Sequence, residues 1–423
     1  MALERRRFLK AMGAAGVLPL LSSCARGVGP RVVVVGGGFG GATCAKYVKM
    51  IDPDIDVMLI ERSETYMTCP FSNNVIGGLR PLDSLVHGYD GLKTHWGIAV
   101  VHDTVTKVDS QERSVTLASG KSIGYDRLVL SPGIDMNWGA IEGYDEQAAE
   151  IMPHAWKAGP QTVLLRKQLA SVEDGGLVVI AAPDDPYRCP PAPYERACMI
   201  AHYLKTGGKA NAKIMILDAK DKFTKQELFI EGWNRFYPGT IEWVPGSQGG
   251  QVTRVDPKEM TVTCKAGTFK AVVANIVPPQ MAGLVAHEAG AATQDGWCEI
   301  DPWTMESTAV AGIHVIGDAC VPGAMPKSGF SANSQAKICA AAVVALLRER
   351  KPSEPLFMNT CYSTIAPDYA ISVAGTYRAS NGTIVAVMGS GGLSPLEASE
   401  SFRKAEYDYA QGWYASTMAE MFN

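Results

Sequence analysis

Apolar residues along this chain gather into short unbroken runs, each stopped by glycine or proline and followed by polar and apolar positions at helical spacing. Val32 to Val35 is the first run. It ends in a glycine cluster, after which the apolar positions of Phe39 to Val48 recur as on one face of a helix. Val57 to Ile60 forms a second run and closes on an acid, Glu61. Leu128 to Gly133 (LVLSPG), Leu177 to Ala182 and Ile313 to Ala319 (IHVIGDA) have the same form. Continuous apolar runs of this length, separated by helices, predict strands buried on both faces of parallel sheets.

The first glycine cluster carries chemistry. Gly36, Gly38 and Gly41 fit the spacing Gly-x-Gly-x-x-Gly. The first allows a tight turn, the second lets a pyrophosphate approach the backbone, and the third lets helix pack on strand. The phosphate charge then meets helix-terminal amides that lack partners. Glu61, 20 residues past Gly41, stands where a carboxylate accepts a ribose hydroxyl. Strand, glycines, helix, strand and acid in this order predict dinucleotide binding. The segments ending in Gly133 and in Gly317 and Asp318 resemble the later flavin-contact segments of glutathione-reductase-like flavoproteins, which makes the expected ligand FAD. The lesser alternative for Asp318 is a helix cap before a surface turn.

A second doubly wound unit is expected at 143–283, between the two parts of an FAD-binding domain at 31–142 and 284–352. A C-terminal domain follows at 353–423. The fold class is therefore α/β: a glutathione-reductase-like flavoprotein with two dinucleotide-type domains and a C-terminal α+β domain. In the middle unit the turn after Leu177 to Ala182 holds Pro183, Asp184, Asp185 and Pro186 in place of glycines. Those residues remove a backbone donor and repel phosphate, so no second nucleotide is expected there. The turn offers Cys189 instead, framed by Pro190, Pro191 and Pro193, with Arg188 beside it expected to favour thiolate. Cys361, in NTCYS, lies in the last domain. Its partner cannot be read from spacing, and Cys198 competes for Cys189 from nine positions away.

The chain's 423 residues, 47% of them hydrophobic, suffice for about three domains. A net charge of −4 leaves no basic footprint for nucleic acid. Arg5, Arg6 and Arg7 precede an apolar stretch from Ala11 to Leu21, which reads as a twin-arginine signal occupying residues 1–25 and a periplasmic destination. Cleavage after Ala25 is preferred to lipoprotein processing at Cys24. No later apolar run approaches the ~18 residues of a membrane helix. In an oxidising compartment a cysteine pair persists as a disulfide.

Over nearly its whole length the chain is similar to the flavoprotein subunit of flavocytochrome c sulfide dehydrogenase. The likeness rests on GGGFGGATCAKY, ERSETYMTCPFSNNVIGG, PHAWKAGPQTVLLRKQL, YRCPPAPYERA, GIHVIGDAC, MPKSGFSANSQAK and NTCYS. The resemblance implies that Cys69 carries FAD covalently and that Cys189 and Cys361 form a redox disulfide at the flavin. It also implies that hydrosulfide is the substrate and that a separate cytochrome c subunit is the partner. No Cys-x-x-Cys-His occurs here, so haem c is expected only on that subunit.

Glu195 is a candidate acid or base, or a solvated carboxylate at a helix start. Lys327 and Ser328 are expected to open a helix whose N-terminus faces the flavin. Trp413 is assigned to the core rather than to a ring cover. Cys44, Cys198, Cys264, Cys298, Cys320 and Cys339 are expected as unassigned, mainly buried thiols, and no protein-bound metal is expected. Two other functions share much of this pattern: sulfide:quinone oxidation, and flavin electron transfer without substrate chemistry.

Overall fold

The computed structural model describes residues 29–423. The twin-arginine segment and Cys24 lie outside the described residues.

Val32, Val33 and Val34 are fully buried because their strand, Arg31–Val35, is central in a five-stranded parallel sheet. Asp56–Ile60 and then Ala99–Val101 lie on one side, Arg127–Leu130 and then Ile313–Val315 on the other. The helices Phe39–Ile51 and Gly329–Leu347 pack together, with Cys44 and Cys339 buried side by side between them. Gly329–Leu347 corrects one expectation. It has the length and hydropathy of a membrane helix, yet much of it is buried in the protein core.

The middle unit is a four-stranded parallel sheet ordered Ile241–Val244, Lys213–Asp218, Leu177–Ala182, Val273–Ile276. Both crossings between the two units run through one antiparallel pair, Ile134–Met136 with Gln280–Ala282. The loop from Pro183 to Pro191 joins the strand Leu177–Ala182 to the helix Ala192–Thr206. It emerges at the carboxyl end of a parallel strand, where sheets of this kind place ligands.

In the C-terminal domain Leu356–Ala366, Tyr369–Ser380 and Thr383–Ala386 form an antiparallel sheet covered by the helix Glu400–Phe422. That helix ends on the FAD-type domain. Lys46 Nζ donates to Glu420 O at 2.6 Å and Asn423 O at 2.8 Å, and Phe422 stacks on His87 with centroids 5.3 Å apart. Fully buried Arg403 pairs with Glu231 at 3.2 Å and Glu406 at 3.4 Å and donates to Pro395 O at 2.8 Å. Arg403→Met would leave both carboxylates without their cation, a loss of about 3–5 kcal/mol. Hydrogen-exchange protection of Tyr369–Ser380 should fall accordingly, and unchanged protection would refute the cost.

Candidate active site

Six parts of the chain, far apart in sequence, close around one cavity of about 870 Å³, mouth included, whose lining contains Cys69, Cys189, Glu195 and Cys361. Cys361 owes its place to strand alternation. In Leu356–Ala366 the residues Phe357, Asn359 and Ser363 are buried, so Cys361 shares their inward face. Ser328 Oγ donates to Asn359 Oδ1 at 2.6 Å, and Lys225 Nζ donates to Ser363 Oγ at 2.7 Å. The strand is thereby held on both sides of the thiol.

Cys189 sits in the left-handed region at φ 57°, with its amide donating to Lys327 O at 2.8 Å. Phe71 (67°) and Lys225 (65°) are in the same region, and each costs about 1–3 kcal/mol that the surrounding contacts must hold. Strain of this kind is concentrated at functional sites. Cys69 follows the strand Thr65–Met67, and its thiol donates to Trp156 O at 3.5 Å.

Glu195, in the first turn of Ala192–Thr206, ties the parts together. Its carboxylate accepts from Thr364 N at 2.7 Å and Asn73 Nδ2 at 2.9 Å. Burial pushes its pKa above the usual carboxylate value, although those bonds, Lys225 and Arg196 oppose the rise. It is a half-buried, hydrogen-bonded carboxyl with a raised pKa and not a solvated helix-start residue. Arg196, 2% exposed, donates to Asn73, Asn275, His154 O and Ala155 O, and burial lowers its pKa to about 10.

Several expectations need correction. Arg188 does not make Cys189 a ready thiolate. Burial dominates and, with Cys361 and Glu195, raises the Cys189 pKa well above its usual value; Lys225 opposes this more than Arg188 does. Arg188 instead donates to Trp156 O. Lys327 turns its ammonium away from the cavity, donating to Asp318 O at 2.9 Å and Cys320 O at 2.6 Å and lying 3.8 Å from the Trp297 ring. Ser328 caps Gly329–Leu347 and does line the cavity. Trp413 is a cavity wall as well as a core neighbour, between Phe39 and Phe330 in near-parallel stacks at 6.4 and 5.9 Å. Cys198 is buried elsewhere, with Trp233 Nε1 donating to its sulfur at 3.2 Å. Among the described residues every cysteine is an unlinked thiol, Cys189 and Cys361 included.

Sequence reading missed Lys225, Arg196, Asn73 and Trp156. Nothing in KFTKQ marks Lys225 as buried, because its position comes from a domain contact.

The glycine turn suits a dinucleotide. Phe39–Ile51 starts at Gly38 with no side-chain cap, which leaves amides for a diphosphate. A Cβ on Gly41 would lie 1.8 Å from Gly36 O, and one on Gly36 (φ 97°) would lie 2.3 Å from Ser131 O. Glu61 Oε2 accepts from Gly37 N at 2.7 Å, which aims the acid at the turn. Gly133 (φ 67°) and Gly317 (φ 78°) form the turns after their strands. Beyond Gly317, Asp318 Oδ1 is buried without a partner, and burial raises its pKa. An orphaned acceptor on this turn fits a cofactor hydroxyl and does not fit a surface cap.

Two dinucleotide-type units with a cysteine-lined cavity define a flavoprotein of the pyridine nucleotide-disulphide oxidoreductase type, and residues 30–169 match that family. Residues 162–278 match the central region of the sulfide dehydrogenase (flavocytochrome c) flavoprotein chain, and residues 353–422 match the flavin-binding family of flavocytochrome c sulphide dehydrogenase. A flavoprotein chain of that name from Chlorobaculum thiosulfatiphilum is 62% identical over 45 residues, 11% of this chain and 94% of that sequence. This chain belongs to the flavocytochrome c sulfide dehydrogenase flavoprotein family.

Mitochondrial sulfide:quinone oxidoreductase of Mus musculus is 22% identical over 338 residues, 76% of this chain and 72% of that one. The crystal structure of sulfide:quinone oxidoreductase from Aquifex aeolicus superposes with a TM-score of 0.73 at 17% identity, covering 92% of each chain. That superposition establishes the shared fold.

Proposed function

We propose that this chain oxidises hydrosulfide at Cys189 and Cys361 and delivers the electrons one at a time, through FAD, to a separate cytochrome c subunit. The observation that carries the reading is the meeting of Cys69, Cys189, Cys361 and Glu195 in one cavity, next to the Ser328 helix start. Sulfide-oxidising enzymes named among the relatives support it.

In the oxidised pair, hydrosulfide attacks Cys189, a new S–S bond forms, and the old one breaks with its electron pair on Cys361. Glu195 takes the proton of the bound sulfur. Its raised pKa suits a base that must release that proton again near neutral pH. Arg188, Arg196 and Lys225 give the cavity a positive field that favours a small anion. A second hydrosulfide removes the outer persulfide sulfur as a disulfide anion and leaves Cys189 as a thiolate, and FAD, when bound, would supply the two-electron acceptor through which the two thiolates re-form their bond and the donor for single-electron exit. Cys69 is the residue we assign to a thioether with that cofactor. A twin-arginine signal would place the folded holoprotein in the periplasm, where a tethered flavin cannot be lost.

The test is anaerobic addition of sulfide to the purified chain. Flavin absorbance should bleach stoichiometrically and recover with cytochrome c, and recovery only with a quinone would move the protein to the quinone-reducing class. An absence of bleaching would reduce it to an electron carrier. Flavin should stay with acid-precipitated protein and be released from Cys69→Ser, and release from both would refute the thioether. Glu195→Gln should lower turnover about a hundredfold. It should also flatten the acid limb of the pH profile, which lies above the ordinary carboxylate range because protonation of Glu195 removes the base; an unchanged limb would exclude that role.

A further inference from the structure

Lys225 is a buried charge held by neutral groups, with the Glu195 carboxylate acting on it only at longer range. It is 3% exposed, yet its ammonium makes no salt bridge among the described residues. Its partners are neutral: Ser363 Oγ at 2.7 Å and Cys361 O at 3.0 Å. Two dipoles do not repay the burial of a full charge, so a cation placed this way calls for an anion. The ionisable atom in reach is Cys361 Sγ, at 3.9 Å. The position is costly in backbone terms as well, since Lys225 takes φ 65° just before the helix Gln226–Phe236. A side chain that merely covered apolar surface would need neither the strain nor the buried charge.

We propose that Lys225 is the fixed counter-cation of the Cys361 sulfur, and that it decides which cysteine leaves when the disulfide opens. The assignment deepens the sulfide-oxidising reading and rests on it for its chemistry. Hydrosulfide brings one negative charge. Its sulfur bonds to Cys189, the Cys189–Cys361 bond breaks, and the charge ends on Cys361 as thiolate beside Lys225. The disulfide is reduced by two electrons while the sulfide sulfur is oxidised into the persulfide. No further reagent enters the step. A leaving sulfur departs faster when its thiolate is stabilised, so the persulfide is directed to Cys189. Lys225 opposes the effect of burial on both thiols, and for Cys361 it is the first opposing influence and also a hydrogen-bond donor. Among the described residues, the other charged or titratable groups around the pair are Cys69, Tyr187, Arg188, Glu195, Arg196 and Tyr362.

The experiment is competitive alkylation of the reduced, full-length holoprotein with iodoacetamide across pH, with Cys361 and Cys189 read separately by peptide mass spectrometry. In the wild type Cys361 should label at least about tenfold faster than Cys189 near neutral pH. Lys225→Gln should move the Cys361 midpoint up by about one pH unit or more, a tenfold loss of rate at fixed pH, and should move the Cys189 midpoint in the same direction by less, because only Cys361 also loses a hydrogen-bond donor. Lys225→Arg should return the rate to within about threefold, because it restores the charge. Equal labelling of the two cysteines in the wild type, or an unmoved Cys361 midpoint in Lys225→Gln, overturns the proposal. Should Lys225→Gln not fold, the wild-type comparison decides alone. Labelling needs no sulfide, so a wild type that labels as expected but whose flavin fails to bleach would sink the sulfide reading and leave the charge assignment standing.

Discussion

Serine in place of Cys361 should lower sulfide oxidation by at least about a thousandfold while leaving flavin content and melting behaviour near those of the parent. The size of the effect follows from the chemistry. A hydroxyl cannot form the bond that hydrosulfide is proposed to break, and among the described residues no other thiol is placed to stand in: Cys69 is the sulfur assigned to the flavin thioether, Cys198 is buried away from the cavity against Trp233, and Cys44, Cys264, Cys298, Cys320 and Cys339 are buried in the domain interiors. Stability should change little, since Cys361 is only half-buried and its strand is held through Asn359 and Ser363. Cys189→Ser should be equally inactive. The two variants should differ in one respect, because reduced Cys189→Ser keeps the Cys361 thiol beside Lys225 and stays reactive to alkylation. Anaerobic sulfide titration of flavin absorbance checks both, and appreciable bleaching in either variant would remove the disulfide from the mechanism.

Gly41→Val should cost the protein its cofactor. A Cβ at this position would lie 1.8 Å from Gly36 O, a backbone atom that cannot rotate away. Gly36 is itself fixed at φ 97°, against Ser131 O. The only relief is to push the helix Phe39–Ile51 off the sheet, which pulls the diphosphate-binding amides away from the turn and opens the packing of Cys44 against Cys339. Flavin content per protein should fall at least about tenfold, with reduced soluble yield, because the loss combines a ligand site with core packing. The ratio of flavin to protein absorbance after purification measures it. Normal flavin content would mean that the turn is looser than this geometry requires.

Much of the architecture was legible because local rules govern it. Four consecutive valines can only be a strand covered on both faces, and Gly36, Gly38 and Gly41 are demanded by contacts within one turn. The apolar run Leu177 to Ala182 likewise announced the parallel sheet of the middle unit. The electrostatics were not legible. Arg188 adjoins Cys189 in sequence, but its guanidinium is spent on Trp156 O, and Lys225 reaches the thiols from another element. Trp413 looked like core by composition and proved also to be a cavity wall, because the helix Glu400–Phe422 lies across the FAD-type domain.

The sequence by itself determined the parallel-sheet framework and the dinucleotide turn, since each depends on residues close together in the chain. Tertiary structure alone decided that Cys69, Cys189 and Cys361 line one space, that Glu195 is half-buried with a raised pKa, and that an ammonium with no salt bridge among the described residues lies beside Cys361. These are properties of distance and desolvation between segments more than a hundred residues apart, and no local pattern encodes them.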